Sequence, residues 1–117
     1  MKSGGYQPAQ GDLVWLNFSP QSGHEQNGRR PALVVSPRAY NHKVGLALFC
    51  PVTHQAKGYP FEVSIPDQIK IQGVVLADQL KSLDWQARQA EFIARLPATS
   101  LQETLAKIAA LTKYSND

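Results

Sequence analysis

Bulky β-forming residues alternate with short polar breaks along most of this chain. The run DLVWLNF (12–18) stops at Ser19-Pro20, a turn signal, and predicts a strand. PALVVS (31–36) is continuously apolar, as expected of a strand buried on both faces or set in a barrel wall. VGLALFCPV (44–52) has the same character, and FEVSI (61–65) alternates. GVVLADQLKS (73–82) begins as a strand and turns polar at Asp78, and in QAEFIARL (89–96) Phe92 and Ile93 break a weak alternation. Short strands at turn-separated spacing predict a small, strongly curved sheet or β-barrel.

The period changes after Pro97. Ser100 and Glu103 form a capping-box pattern, and Leu101, Leu105, Ile108, Ala109 and Thr112 follow helical spacing. This predicts one amphipathic helix, about four turns long, with its Leu/Ile stripe on the sheet. The fold class is therefore mainly β, a barrel with a C-terminal α-helix.

At 117 residues the chain is expected to be a single domain, 1–117, with 1–10 as a flexible N-terminal segment. Apolar residues at 43% and charged residues at 18% fit a globular protein and exclude a disordered one. MKSGGYQPAQ holds no apolar segment of signal-peptide type, and no stretch approaches membrane-spanning length, so a cytoplasmic location is expected. Cys50 is the single cysteine, which fits a reducing compartment, and in LALFCPV it reads as a small core residue. The net charge is +3, and before Glu62 only Asp12 and Glu25 oppose Arg29, Arg30, Arg38, Lys43 and Lys57. That balance favours an anionic partner.

The motif search excludes several chemistries. His24, His42 and His54 have no metal-site spacing, HExxH is absent, and surface or loop positions are expected for all three. GxxxxGK[ST], GxGxxG and GxSxG are absent too. No metal or cofactor is therefore expected. Three polar clusters remain, Glu25–Arg30, Thr53–Lys57 and Asp78–Ser82, each where a loop leaves an apolar run. Loops on a rigid sheet are where sites concentrate. Each cluster also has an ordinary structural reading: a loop ion pair, a strand end satisfying its backbone, a carboxylate holding a turn.

Taken together, GDLVWLNFSPQSGHEQNGRRPALVVSP, CPVTHQAKGYPFEV and GVVLADQLKSLDW resemble the MazF/PemK family, toxins of bacterial toxin–antitoxin pairs. The G-x-E-x-x-G-x-R-P-A frame stands as Gly23, Glu25, Gly28, Arg30, Pro31 and Ala32, and the K-G-Y-P-F run of the MazF type as 57–61. The resemblance implies an SH3-like barrel, a homodimer, and a ribosome-independent, metal-independent endoribonuclease that cuts single-stranded mRNA at short sequences. It carries the catalytic roles onto Arg30 and Thr53, with Glu25 beside them, and RNA contact onto Gln26, Asn27, Arg29, Lys57 and Gln79. The implied partner is an antitoxin with an acidic, extended C-terminal segment, through which alone operator DNA would be reached. Two departures stand out: Leu76 replaces a basic residue of some relatives, and Arg29 stands where a close relative has histidine.

The residues suit such chemistry. Attack by a ribose 2′-hydroxyl needs two proton movements and stabilisation of an electron-rich phosphorane. The planar fork of Arg30 matches two phosphate oxygens, and Thr53 can donate to another. A guanidinium gives up its proton only above about pH 12, so it is a poor base. Glu25 is available as that base or as the group that aims Arg30. Two other classes share the frame: a gyrase-poisoning toxin, whose C-terminal aromatic tail this chain lacks, and a non-catalytic RNA-binding module.

Overall fold

The computed structural model describes residues 5–18 and 28–116. The elements run β1 (Asp12–Asn17), β2 (Arg29–Val34), α1 (Arg38–Val44), β3 (Leu46–Thr53), β4 (Glu62–Ser64), β5 (Val74–Leu76), β6 (Lys81–Asp84), β7 (Glu91–Arg95) and α2 (Ala98–Thr112). Every pairing is antiparallel, in the order β4-β5-β3-β2-β1-β7, with β6 also on β3. The expected mainly β fold with a C-terminal helix is present. "Barrel" describes it only loosely, because among the described residues β4 and β7 end the path without pairing with each other and α2 packs against β4 instead.

The continuous apolar runs arise because the central strands are covered on both faces. Leu13, Leu33, Cys50 and Val52 point into one core, which is closed by Leu101, Leu105 and Ile108 of α2. Their neighbours Val14, Ala32, Val34, Ala47 and Phe49 point into a second core around Trp85. Successive strand residues face opposite sides, so burial on both faces removes the polar half of the alternation. Cys50 is fully buried, as expected of a core thiol.

β3 is the hub. Leu46–Phe49 pair with β6, while Val52 and Thr53 pair with β5. The run expected over 73–82 is therefore two short strands, broken by a turn in which the Gln79 amide donates to the Leu76 carbonyl at 3.1 Å. The strand expected to start at Val44 starts at Leu46 instead, because Arg38–Val44 is helical. Pro37 precedes that helix, and Gly45, left-handed at φ 82°, ends it with its amide on the Asn41 carbonyl. A proline at the start and a glycine just past the end were the available signal.

The C-terminal helix needs two corrections. It starts at Ala98 after Pro97, with no side-chain cap, so the Ser100–Glu103 capping box does not form. Ser100 is instead buried inside the helix, where its carbonyl accepts the Thr104 hydroxyl at 2.9 Å. The buried stripe is Ser100, Leu101, Thr104, Leu105 and Ile108, whereas Ala109 and Thr112 are exposed. A stripe continued by spacing alone runs past the end of the sheet that covers it. Residues 6–10 of the N-terminal segment are anchored: Pro8 is buried, and the Tyr6 hydroxyl and Ala9 amide donate to the Asp12 carboxylate. No helix among the described residues is long and apolar enough to cross a membrane.

Candidate active site

The starts of β2 and β5 and the end of β3 lie at one end of the sheet. There Trp15, Arg29, Arg30, Thr53, His54 and Gln55 line an open cleft of about 540 Å³, with Pro31, Val52 and Ile71 as its apolar floor and wall. Thr53 and Gln55 also line an adjoining hollow of about 220 Å³, together with Lys57, Tyr59, Glu62, Asp78 and Gln79. Thr53 therefore stands at the junction of two concave surfaces. Arg29 and Arg30, Thr53 to Lys57, and Asp78 and Gln79, from the three polar clusters of the sequence, meet here for a topological reason: β3 is bonded to β2 on one side and to β5 on the other.

Register sets the individual side chains. Arg30 sits opposite Leu16 of β1, and Trp15 opposite Pro31. Arg29 and Arg30 are neighbours in sequence but not in circumstance. The Arg29 guanidinium is engaged by Asn17 Oδ1 at 3.0 Å, the Gln89 carbonyl at 2.8 Å and Glu91 Oε1 at 3.1 Å. Arg30 is exposed, and among the described residues its guanidinium has no hydrogen-bond or ion-pair partner. A guanidinium held open toward a cleft keeps both arms of its fork for an incoming oxyanion.

Thr53 ends β3, paired with Val74. Its Oγ1 accepts the Gln55 amide at 3.1 Å, which leaves the hydroxyl proton free to donate outward. Gly73, at φ 126°, lies directly against the Thr53 carbonyl and the His54 backbone. Any Cβ there would overlap that carbonyl, so glycine is required for the close approach that fixes Thr53.

The loop after Thr53 is held from two sides. Glu62 accepts the Lys57 amide at 3.2 and 3.0 Å and the Gly58 amide at 3.0 Å. From α2, Lys107 donates to the Pro60 carbonyl. Lys57 thereby lines the hollow together with Gln79. Below the site, burial and then the nearby Asp78 charge push the Cys50 thiol up to about 12, which keeps it protonated and unreactive.

Of the residues singled out from the sequence, the cleft and hollow bring together Arg29, Arg30, Thr53, Lys57 and Gln79. Glu25, Gln26, Asn27 and His24 lie outside the described residues. His54, expected as a surface or loop histidine, is exposed but lines the cleft beside Arg30 and Thr53. Trp15, Gln55 and Tyr59 were not foreseen either. The adjacency of His54 and Gln55 to Thr53 was the signal for two of them. No three His, Cys, Asp or Glu side chains among the described residues gather as metal ligands.

Residues 9–112 match the family model of the PemK-like, MazF-like toxin of type II toxin–antitoxin systems. The chain is 50% identical over 103 residues to the endoribonuclease toxin MazF of Escherichia coli K12, covering 88% of this chain and 92% of that one. Crystal structures from Deinococcus radiodurans superpose closely. One is MazF, at 56% identity and a TM-score of 0.86 over 94% of this chain and all of that one. Another is a MazE–MazF complex, at 57% identity and a TM-score of 0.89 over 95% of this chain and all of the matched one.

Proposed function

The chain belongs to the PemK-like, MazF-like toxin family of type II toxin–antitoxin systems, and from that premise we propose how its cleft cuts RNA. It is an endoribonuclease toxin whose partner is a cognate antitoxin. The substrate is single-stranded mRNA, cut at a short sequence, independently of the ribosome and of metal. The ribose 2′-oxygen attacks phosphorus, and the products are a 2′,3′-cyclic phosphate and a 5′-hydroxyl. Arg30 receives two phosphate oxygens on its fork and neutralises the charge that grows on them. Thr53 donates a hydrogen bond from its hydroxyl to the same phosphate.

The observation that carries this reading is Arg30: a guanidinium without a partner among the described residues, in one cleft with a hydroxyl whose proton is free. Lys57, Gln79 and Arg29 flank the path of the strand, and Gln26, Asn27 and Glu25 belong to the same RNA-contacting set. Glu25 aims Arg30 or shares in proton transfer. A homodimer joins two such clefts into one groove. The antitoxin's acidic C-terminal segment competes for that groove by placing carboxylates where phosphates lie, and operator DNA is reached only through the antitoxin complex.

The test is cleavage of a labelled single-stranded RNA in EDTA, with the new 5′ ends mapped. Cuts at one recurring short sequence are expected. A substrate with 2′-deoxyribose immediately 5′ of the cut should bind and remain whole. Cleavage of that substrate would overturn 2′-hydroxyl attack. Inhibition by an acidic antitoxin peptide should be competitive and weaken at higher salt. Inhibition that leaves RNA binding untouched would overturn the shared groove.

A further inference from the structure

We infer that His54 is the catalytic base that takes the proton from the attacking 2′-hydroxyl, an inference that rests on the RNA-cleaving reading above. Cleavage in this cleft requires a proton acceptor, and its walls offer few candidates. Trp15, Pro31, Val52 and Ile71 carry no acceptor of use, Gln55 is a neutral amide, and Arg29 and Arg30 are guanidiniums. Thr53 Oγ1 already accepts the Gln55 amide. Among the described residues lining the cleft, His54 alone offers an imidazole nitrogen lone pair as a proton acceptor.

Its placement also suits the task. His54 follows Thr53 directly, and Gly73 packs against the backbone of both, so the imidazole springs from the most closely held point of the β3 end. It is exposed, and no hydrogen bond or ion pair with the described residues occupies it. The charged groups that line the same cleft are Arg29 and Arg30 from β2, and Ile71, which also lines it, is apolar. Lys57, Glu62 and Asp78 lie beyond Gln55, around the adjoining hollow.

In the step, the 2′-hydroxyl proton passes to an imidazole nitrogen and the 2′-oxygen forms its bond to phosphorus. The bond from phosphorus to the 5′-oxygen breaks, and that oxygen takes a proton from water. The imidazolium then loses its proton to solvent, which returns His54 to its starting form. Arg30 and Thr53 hold the phosphate throughout and exchange no proton.

The experiment follows single-turnover cleavage of a mapped RNA site from pH 5 to 9 in EDTA, for the wild type, His54→Gln, His54→Ala, Glu25→Gln and Arg30→Ala. His54→Gln should slow cleavage by about 100-fold or more while still binding the uncleavable 2′-deoxy substrate, and should lack the rise in rate with pH expected of the wild type. Imidazole added to the buffer should partly restore His54→Ala and leave Arg30→Ala inactive. A His54→Gln protein that cuts at the wild-type rate with the same pH rise would overturn the inference, all the more if Glu25→Gln removes that rise. A wild type that cuts no RNA would overturn the RNase reading and this inference together, whereas normal cleavage by His54→Gln removes only the inference.

Discussion

The two ends of β2 hold polar groups in opposite states. Past its last residue, Ser36 and Asn41 are buried and fully engaged. The Ser36 hydroxyl donates to Asn41 Oδ1 and accepts the Leu48 amide at 2.8 Å. Asn41 Nδ2 donates to the Pro8 and Ser36 carbonyls, each at 3.0 Å, and the Asn41 carbonyl accepts the Trp85 indole at 3.0 Å. Nearby, Asp12 accepts from Tyr6, Ala9 and Arg95. At the start of the same strand, Arg30, Thr53 and His54 are left facing a cleft. A buried polar group must be satisfied internally, and a group that serves a ligand must not be. One end of the sheet therefore stabilises the molecule, and the other leaves its polar groups open to a ligand.

The largest expected effect comes from the open end. Arg30→Ala should reduce cleavage by about 10³-fold, with the thermal midpoint nearly unchanged, because no described group loses a partner. Arg30→Lys should be badly impaired as well, since a point charge does not reproduce the fork. A lysine variant cutting near the wild-type rate would show that charge alone suffices.

The sealed end should respond in the opposite sense. Asn41→Ala leaves the Pro8 and Ser36 carbonyls and the Ser36 hydroxyl short of partners, at a cost of about 3 kcal/mol. Denaturant unfolding should show that loss, while the surviving folded protein cuts RNA at the normal rate. A loss below about 0.5 kcal/mol would mean that water replaces the amide and that this end is not sealed.

A pH measurement sharpens the contrast. Burial, then the Asp12 hydrogen bond and charge, raise the Tyr6 phenol well above its usual range. The folded state therefore keeps the phenol neutral where an unfolded chain would ionise. This contribution is fully present below about pH 10 and is lost as the pH rises beyond it. Tyr6→Phe should cost about 1 kcal/mol at pH 7, and its stability should fall less steeply than the wild type's above pH 10. Parallel curves would rule out the linkage. Alkaline loss of activity without loss of fold would instead point to the open end.

The smallest effect is expected at the loop between the two surfaces. Glu62→Gln weakens the acceptor for the Lys57 and Gly58 amides without touching the cleft, so KM should rise by a few-fold and kcat should hold, an effect on the order of 1 kcal/mol. A fall in kcat equal to the rise in KM would place this loop within the reacting geometry.

Local patterning determined a great deal of this molecule. The β-rich runs at 12–18, 31–36, 44–52 and 89–96 and the helical period after Pro97 each specify a backbone conformation within a few neighbouring residues, and the structure contains strands and a helix there. The G-x-E-x-x-G-x-R-P-A frame and the threonine before the K-G-Y-P-F run marked Arg30 and Thr53, and with them the family, by residue type and spacing. Tertiary structure decided what depends on partners far away in the chain. Whether the 73–82 run is one strand or two depends on β3 offering two separate stretches of edge. Whether Ser100 caps a helix or is buried within it depends on where the sheet ends beneath α2. Arg29 and Arg30 are indistinguishable as residues. One meets Glu91 of β7 and the Gln89 carbonyl just before it, and the other, among the described residues, meets only the cleft. His54 looked like any loop histidine until antiparallel pairing of β3 with β2 brought it into one cleft with Arg30. A residue's conformation is set largely by its neighbours in sequence, but its hydrogen-bond partners and its exposure are set by packing, and the chemistry of this site lies in which groups packing leaves without a partner.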